Sequence, residues 1–85
     1  MAKVEIYSTK VCPYCVKAKN LFSSKNIEYV EIDVTNDDEG RMKLLERSNG
    51  QRTVPQIFIN DKHIGGCDDL FALNKSGALM PLLGE

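Results

Sequence analysis

Residues 3–15 read KVEIYSTKVCPYC, and this stretch predicts a strand that leads directly into a helix. In residues 3–8 charged and apolar side chains alternate, with Val4 and Ile6 on one face, which is typical of a strand. Pro13 fits the first position of a helix, where its missing N–H removes no hydrogen bond. The two cysteines of the CPYC stretch at 12–15 therefore lie at the junction between a strand and a helix.

The next three elements follow from the spacing of apolar residues. Apolar side chains recur at helical spacing after residue 13, and this helix should end near residues 24–26. Residues 27–34 (IEYVEIDV) predict a second strand, with Val30, Ile32 and Val34 in phase. Thr35 or Asn36 is the expected N-cap of a second helix. Met42 and Leu45 are its expected apolar stripe, and the helix should stop at residues 48–50.

The second half of the chain predicts a hairpin and a helix. Residues 55–60 (PQIFIN) predict a strand buried on both faces, and residues 60–62 (NDK) are typical of a turn. A short return strand begins at His63 and is broken by the glycines at 65–66. A helix is expected over 68–77 and a last short helix or turn over 78–83.

This order, βαβαββα, predicts an α/β fold in one domain covering residues 1–85. A strand–helix–strand unit should form a right-handed parallel pair of strands, and the hairpin can join the same sheet in antiparallel orientation. The result is a four-stranded mixed sheet flanked by helices. The cysteine pair then lies at the carboxyl end of the first strand, where reaction sites of open α/β sheets gather.

Composition excludes several classes of function. The 85 residues carry a net charge of −1, whereas a nucleic-acid-binding protein needs a basic face. No apolar run approaches the length needed to span a membrane. The N-terminal residues MAKVEIYS have no secretory signal pattern, and three cysteines are too few for a disulfide-stapled scaffold. We therefore expect a cytosolic protein with no nucleic-acid or membrane partner, which acts as a monomer.

The position of Cys12 predicts an unusually reactive thiol. As an N-cap, its sulfur faces the unpaired N–H groups and the positive end of the helix dipole. Such a position lowers a thiol pKa from about 8.5 to roughly 3.5–7.5. Lys10, Lys17 and Lys19 are expected to add positive charge nearby. Cys12 should be the exposed nucleophile, and Cys15, one turn into the helix, the thiol that resolves a mixed disulfide.

Two other interpretations of the cysteines are open. Both could be small buried apolar residues, as many intracellular cysteines are. Alternatively, His63 and Cys67 could complete a Cys₃His zinc site with Cys12 and Cys15. That site would require a strand flank and a helix start to converge on one ion, so we expect no metal.

Three separated motifs resemble those of the glutaredoxin family: CPYC at 12–15, TVP at 53–55 and GGCDD at 65–69. The similarity spans essentially the whole chain and is closest to small bacterial dithiol glutaredoxins. It implies a thioredoxin-like fold, with glutathione as the reducing co-substrate. It also implies disulfide-containing or glutathionylated proteins as substrates. Thioredoxin is a poorer match because the chain contains no Trp. An iron–sulfur cluster is a second alternative, although cluster-binding relatives usually lack the proline after the nucleophile.

The resemblance also implies which residues contact glutathione. These are Tyr14, Thr53, Val54, Pro55, Gly66, Cys67, Asp68 and Asp69. A cis peptide bond before Pro55 would present the Val54 backbone to an extended peptide. Helix N–H groups near Asp68 would bind a carboxylate of glutathione, and Asp68 would accept its ammonium group. Some of these residues also have simpler possible roles. Pro55 could simply occupy a sheet edge where no N–H is needed, and the two aspartates could cap the helix. Tyr14 and Cys67 could be packing residues. No functional role is expected for His63.

The sequence departs from the family pattern at one position. Many glutaredoxins carry a basic residue three positions before the first active cysteine, where it meets the glycine carboxylate of glutathione. Here that position is Thr9, and the lysine is Lys10. Either the loop brings Lys10 to the carboxylate, or Arg41 of the second helix takes the role.

Overall fold

The computed structural model of the protein describes residues 2–84, so Met1 and Glu85 of the expected domain lie outside the described residues. Its elements run β1 (Val4–Ser8), α1 (Pro13–Ser24), β2 (Val30–Asp33), α2 (Asp38–Arg47), β3 (Gln56–Ile59), β4 (Lys62–Gly65), α3 (Cys67–Ser76) and α4 (Leu79–Leu82). The predicted order of elements is confirmed. None of the helices in this range is long and apolar enough to cross a membrane.

The four strands form one mixed sheet in the order β2-β1-β3-β4. β1 pairs with β2 in parallel and with β3 in antiparallel orientation, and β3 pairs with β4 in antiparallel orientation. Asn60 and Asp61, with φ angles of 52° and 65°, form the tight β3–β4 connection, as a two-residue hairpin turn requires. The expected four-stranded mixed sheet is therefore confirmed.

Helices cover both faces of the sheet. Against one face, α1, α3 and the chain around α4 bury the larger apolar cluster, which includes Ile6, Phe22 and Leu70, each 0% exposed. Against the other face, Leu44 of α2 packs with Tyr7, Val34 and Phe58. The side chains of residues 57–59 in β3 are all buried, because successive side chains of this central strand enter opposite clusters.

Three local predictions were wrong, and one of them concerns β2. The strand is limited to Val30–Asp33, and Val30 is 58% exposed rather than in the core. The preceding residues instead form the loop that ends α1, where Ile27 N donates to Phe22 O at 2.9 Å. Tyr29 packs beside the Phe22 ring, with centroids 5.4 Å apart. Hydrophobic residues in this stretch therefore cover α1 without joining the sheet.

The other two errors concern α2. Its N-cap is Asp37, whose Oδ1 accepts from Gly40 N at 2.9 Å, and not Thr35 or Asn36. The buried face is also different: Met42 is 64% exposed, while Leu44 and Ser48 are buried. Gly40 shares that face, since a Cβ there would lie 3.0 Å from Val34 Cγ1. The buried face contains Gly40 and Ser48, which are not apolar. A search for apolar residues therefore predicted the stripe Met42–Leu45 and did not find this face.

An ion pair joins the end of α2 to the sheet. Arg47 donates to both carboxylate oxygens of Glu5, at 2.8 and 3.3 Å, and to the hydroxyl of Tyr7 at 3.0 Å. Its guanidinium carbon lies 4.0 Å from the centroid of the Phe58 ring. The hydrogen bond from Arg47 holds the pKa of Glu5 below its usual value. A paired, largely buried carboxylate of this kind stabilises the fold only while it is ionised.

We predict that Glu5→Gln lowers the free energy of unfolding at pH 7 by about 1–3 kcal/mol, because a charge-assisted hydrogen bond is lost. The Glu5 pKa is lower in the folded state than in the unfolded state. The stabilisation is therefore complete above the unfolded-state pKa and disappears as the pH falls through the folded-state pKa. Urea titrations between pH 7 and pH 3 measure this. Glu46→Gln, at an exposed position of α2 next to Arg47, is the control. A Glu5→Gln deficit that stays constant with pH would contradict the account.

Candidate active site

Cys12 is the N-cap of α1, and its sulfur occupies the place that a serine hydroxyl takes in ordinary caps. Cys15 N donates to Cys12 Sγ at 3.1 Å. Pro13 at the first helical position has no N–H to offer. The two cysteines form a disulfide, with their Cα atoms 5.2 Å apart. The structure therefore describes the oxidised form of a dithiol at a helix N-terminus, and the interpretation of the two residues as inert apolar side chains is wrong.

Cys12 is the more accessible of the two sulfurs, although it is largely covered in this form. It is 9% exposed, against 1% for Cys15, so the expectation of an exposed Cys12 is wrong for the disulfide. Val54 O lies 3.7 Å from Cys12 Sγ and covers it from the loop before β3. The Val54–Pro55 peptide bond is cis. Tyr14, at 60% exposed, stands beside the disulfide on the open side.

The lysines around Cys12 are less favourably arranged than their sequence positions imply. Lys19 Nζ is 2.8 Å from Glu31 Oε2, so its charge is compensated by that carboxylate. Lys17 Nζ lies over the Phe71 ring, 4.9 Å from the centroid. Lys10 has an exposed side chain and makes no ion pair among residues 2–84. The helix N-terminus is a positive feature at Cys12 that does not depend on these lysines.

A groove of about 410 Å³ opens beside the disulfide. Eight residues expected from the family resemblance line it: Tyr14, Thr53, Val54, Pro55, Gly66, Cys67, Asp68 and Asp69. It is also lined by Gln51, Gln56, His63, Ile64 and Gly65, which the sequence analysis did not assign to the site. A polar Gln56 inside the apolar PQIFI run was the one sequence signal for this second group.

The three expected residues that do not line the groove are Thr9, Lys10 and Arg41. Lys10 and Arg41 nevertheless approach a common point, because both donate to Thr35. Lys10 N lies 2.9 Å from Thr35 Oγ1, and Arg41 Nη2 lies 3.5 Å from Thr35 O. Arg41 lines a smaller neighbouring hollow that shares Gln51 with the groove. The Arg41 side chain and the Lys10 backbone therefore lie beyond one end of the groove.

The N-terminus of α3 forms the opposite end of the groove. Its N-cap is Gly66, so the helix begins one residue earlier than expected and neither aspartate is the N-cap. Asp69 Oδ2 instead accepts from Gly66 N at 3.1 Å. Because glycine has no side chain, the first N–H groups of α3 have no capping partner and stay available to an anion. Asp68 is exposed beside them.

Cys67 is buried behind this helix start. Its residue is 5% exposed, and desolvation raises the pKa of its thiol, with Lys17 acting in the opposite direction. Such a thiol is a weak nucleophile at neutral pH. His63 Nε2 lies 2.7 Å from Gln56 Oε1. In residues 2–84 no group of three or more His, Cys, Asp or Glu side chains is arranged to hold a metal ion, so the suggested Cys₃His convergence does not occur.

A cysteine pair that forms a disulfide at a helix N-terminus, next to a groove, defines the chemical class of the protein. It is a thiol–disulfide oxidoreductase. The comparisons with known proteins agree. A sequence model of the family described as glutaredoxin matches residues 4–64. Glutaredoxin 3 of Escherichia coli strain K12 is 52% identical over 83 residues, which cover 98% of this chain and 99% of that protein.

Solved structures give the same answer. A crystal structure of a buckwheat glutaredoxin–glutathione complex has a TM-score of 0.87 at 35% identity, covering 98% of this chain and 77% of that one. The solution structure of a glutaredoxin from Brucella melitensis has a TM-score of 0.84 at 48% identity, covering 98% and 89% of the two chains. The chain belongs to the glutaredoxin family, and its fold is thioredoxin-like, as the sequence predicted.

Gly65 joins β4 to α3 in a backbone conformation that other residues rarely adopt, and this predicts the effect of replacing it on stability. Its φ is +121°, and a Cβ there would collide with the Asp69 carboxylate that caps Gly66. Gly65→Ala should therefore lower the free energy of unfolding by about 1–3 kcal/mol. Gly66→Ala is the matched control, since its φ of −90° suits any residue and its Cβ would lie 3.4 Å from Pro55 O. Equal losses in urea titrations of the two variants would contradict this assignment.

Proposed function

We propose that the protein reduces protein disulfides and glutathione mixed disulfides, with glutathione as the reducing co-substrate. The observation that carries the proposal is the position of Cys12 Sγ, which accepts a helix N–H and lies beside Val54 O next to a groove. The buckwheat relative, which was solved as a glutathione complex, supports glutathione as the ligand. We further propose that the protein acts in the cytosol, where thiols are kept reduced. There it would act as a single-domain monomer without a metal.

The proposed reaction with a glutathionylated protein has two steps. The Cys12 thiolate attacks the glutathione sulfur of the mixed disulfide, and the protein thiolate leaves. A second glutathione thiolate then attacks the glutathione sulfur bound to Cys12. This forms oxidised glutathione and restores the Cys12 thiolate. One free glutathione is consumed, and the other half of the oxidised glutathione comes from the substrate.

Cys15 enters when the substrate is a protein disulfide. Attack by Cys12 leaves one substrate cysteine bound to Cys12 and the other as a thiol. The Cys15 thiolate then attacks Cys12 Sγ, the substrate cysteine bonded to Cys12 leaves as a thiolate, and the Cys12–Cys15 disulfide forms. The structure describes the protein in this disulfide form. Two glutathione molecules return it to the dithiol.

The groove provides complementary contacts for a tripeptide with charged ends. At one end, the first N–H groups of α3 can bind the α-carboxylate, while exposed Asp68 can accept the ammonium group. In the middle, the Val54 backbone can pair with the cysteine residue as an added strand would. Tyr14, Pro55 and Cys67 form walls near the sulfur. At the other end, we assign the glycine carboxylate to Lys10, because Arg41 already donates to Thr35 O.

Separate variants of the two cysteines test the cycle. Cys12→Ser should abolish reduction of both substrate types, because Cys12 is the only cysteine in residues 2–84 whose sulfur caps a helix. Cys67, at the start of α3, is buried and the pKa of its thiol is raised by desolvation. Cys15→Ser should retain turnover of a glutathionylated peptide and lose turnover of a protein disulfide, which needs an internal resolving thiol. Turnover is measured in a coupled assay that follows oxidised glutathione. Loss of both activities in Cys15→Ser would mean that Cys15 has another role.

The cation that binds the glycine carboxylate is tested by a matched pair of variants. Lys10→Gln should raise the KM for glutathione about two- to fivefold, the range for a charge pair that water partly screens. Arg41→Gln should leave that KM nearly unchanged. Alkylation rates of Cys12 measured against pH separate this effect from any change in thiol reactivity. The Lys10 assignment is wrong if only Arg41→Gln raises the KM.

A further inference from the structure

Three polar side chains of the groove form a hydrogen-bonded chain that the oxidoreductase mechanism does not use. His63 Nε2 on β4 lies 2.7 Å from Gln56 Oε1 on β3. Gln56 Nε2 donates in turn to Thr53 Oγ1 at 3.0 Å. All three residues line the groove, and they end at the loop that holds Val54 against Cys12. The chain therefore connects the edge strand to the loop beside the reactive sulfur.

The direction of the chain follows from the chemistry of the amide. The Oε1 atom of Gln56 only accepts, so His63 Nε2 must carry the proton of the first bond. The Nε2 atom of Gln56 only donates, so Thr53 Oγ1 must be the acceptor of the second. The proton of the Thr53 hydroxyl is then not engaged with Gln56. Since Thr53 is exposed and lines the groove, this hydroxyl can donate to a bound molecule.

The inner part of the chain has little freedom to move. Gln56 is 3% exposed in the middle of the sheet. The His63 ring lies against the buried Phe58 ring, with centroids 5.0 Å apart and planes at 32°. Burial on one side and ring packing on the other restrict both side chains to few rotamers. The position of the Thr53 hydroxyl is thus fixed by two strands, although Thr53 itself lies in a loop.

We propose that His63 and Gln56 are positioning residues, which direct the Thr53 hydroxyl to donate to an acceptor oxygen of the bound peptide. This inference rests on the proposed function, since it assumes that a glutathione-type peptide occupies the groove. The acceptor is a carbonyl or carboxylate oxygen of that peptide. This hydrogen-bonded chain of side chains then favours the binding of disulfides that carry a peptide over the binding of small disulfides without one. It contributes to substrate binding and leaves the nucleophilicity of Cys12 unchanged.

The test compares Thr53→Val, Gln56→Met and His63→Phe, each of which keeps the approximate shape and removes polar atoms. The KM for a glutathionylated peptide should rise about three- to tenfold in Thr53→Val, the range for one neutral hydrogen bond. It should rise about two- to fivefold in Gln56→Met and His63→Phe, which free the hydroxyl without removing it. Thr53→Ser, which keeps the hydroxyl, should recover most of the affinity. His63→Phe retains an aromatic ring on Phe58 and tests the chain if Gln56→Met does not fold.

Two further readouts distinguish positioning from a purely structural role. The Thr53→Val/Gln56→Met double variant should have a KM no higher than Thr53→Val alone, because both changes remove the same contact. The rate at which reduced Gln56→Met and reduced His63→Phe attack an aromatic disulfide without peptide groups should match that of the wild type. A KM unchanged in Thr53→Val, or a double variant with multiplied effects, would overturn the proposal.

The failure of this inference differs from the failure of the proposed function. If the wild-type protein does not turn over the glutathionylated peptide with glutathione, the function fails, and the positioning role fails with it. If the wild type is active and the variants bind the peptide equally well, only the positioning role is wrong. A comparable loss of rate on the aromatic disulfide would also overturn it, because that result indicates damage to the site as a whole.

Discussion

The hydrogen bond from Cys15 N to Cys12 Sγ is the interaction on which the chemistry of this protein depends. It places a sulfur atom where an α-helix has unpaired N–H groups, 3.1 Å from the donor. A thiolate gains more from this contact than a thiol does, because the hydrogen bond and the helix dipole both favour negative charge. Pro13 begins the helix without competing for the sulfur. One capping position therefore combines a folding role with the catalytic role that we propose.

The sheet brings the rest of the site to this sulfur. Because β1 and β3 are antiparallel neighbours, with Tyr7 opposite Gln56, the end of β1 lies beside the start of β3. The loop carrying Cys12 thus meets the loop carrying Val54, although 42 positions separate the two residues. The β3–β4 hairpin then leads into α3, whose N-terminus closes the far end of the groove. Burial of β3 on both faces keeps these loops in place.

Much of this arrangement could be predicted from the sequence. The order of elements followed from apolar periodicity and from Pro13, and the buried Ile57–Phe58–Ile59 run identified a central strand. The three motifs located the groove, and the family resemblance implied the cis bond that the structure has before Pro55. These features are local, or they depend on residues with few alternative roles. The family resemblance supplied what periodicity alone could not, namely the ligand and the residues that would contact it.

The features that sequence did not predict depend on tertiary contacts. α2 packs through Gly40, Leu44 and Ser48, and two of these are not hydrophobic. Thr35 does not cap α2, and its hydroxyl instead accepts from Lys10 N. The sequence indicated no role for His63, whereas the register of β4 places its Nε2 atom 2.7 Å from Gln56 Oε1. Each case is decided by a partner distant in sequence, which the local pattern does not contain.

The most direct measurement of the central claim is the pH dependence of Cys12 alkylation. Iodoacetamide would be applied to reduced Cys15→Ser protein, with the modified cysteine identified by mass spectrometry, and to an unstructured peptide of residues 8–17 carrying the same change. The helix N-terminus predicts that the protein reaches half its maximal rate about one pH unit or more below the peptide. Equal midpoints for the protein and the peptide would contradict the claim that the fold activates this sulfur.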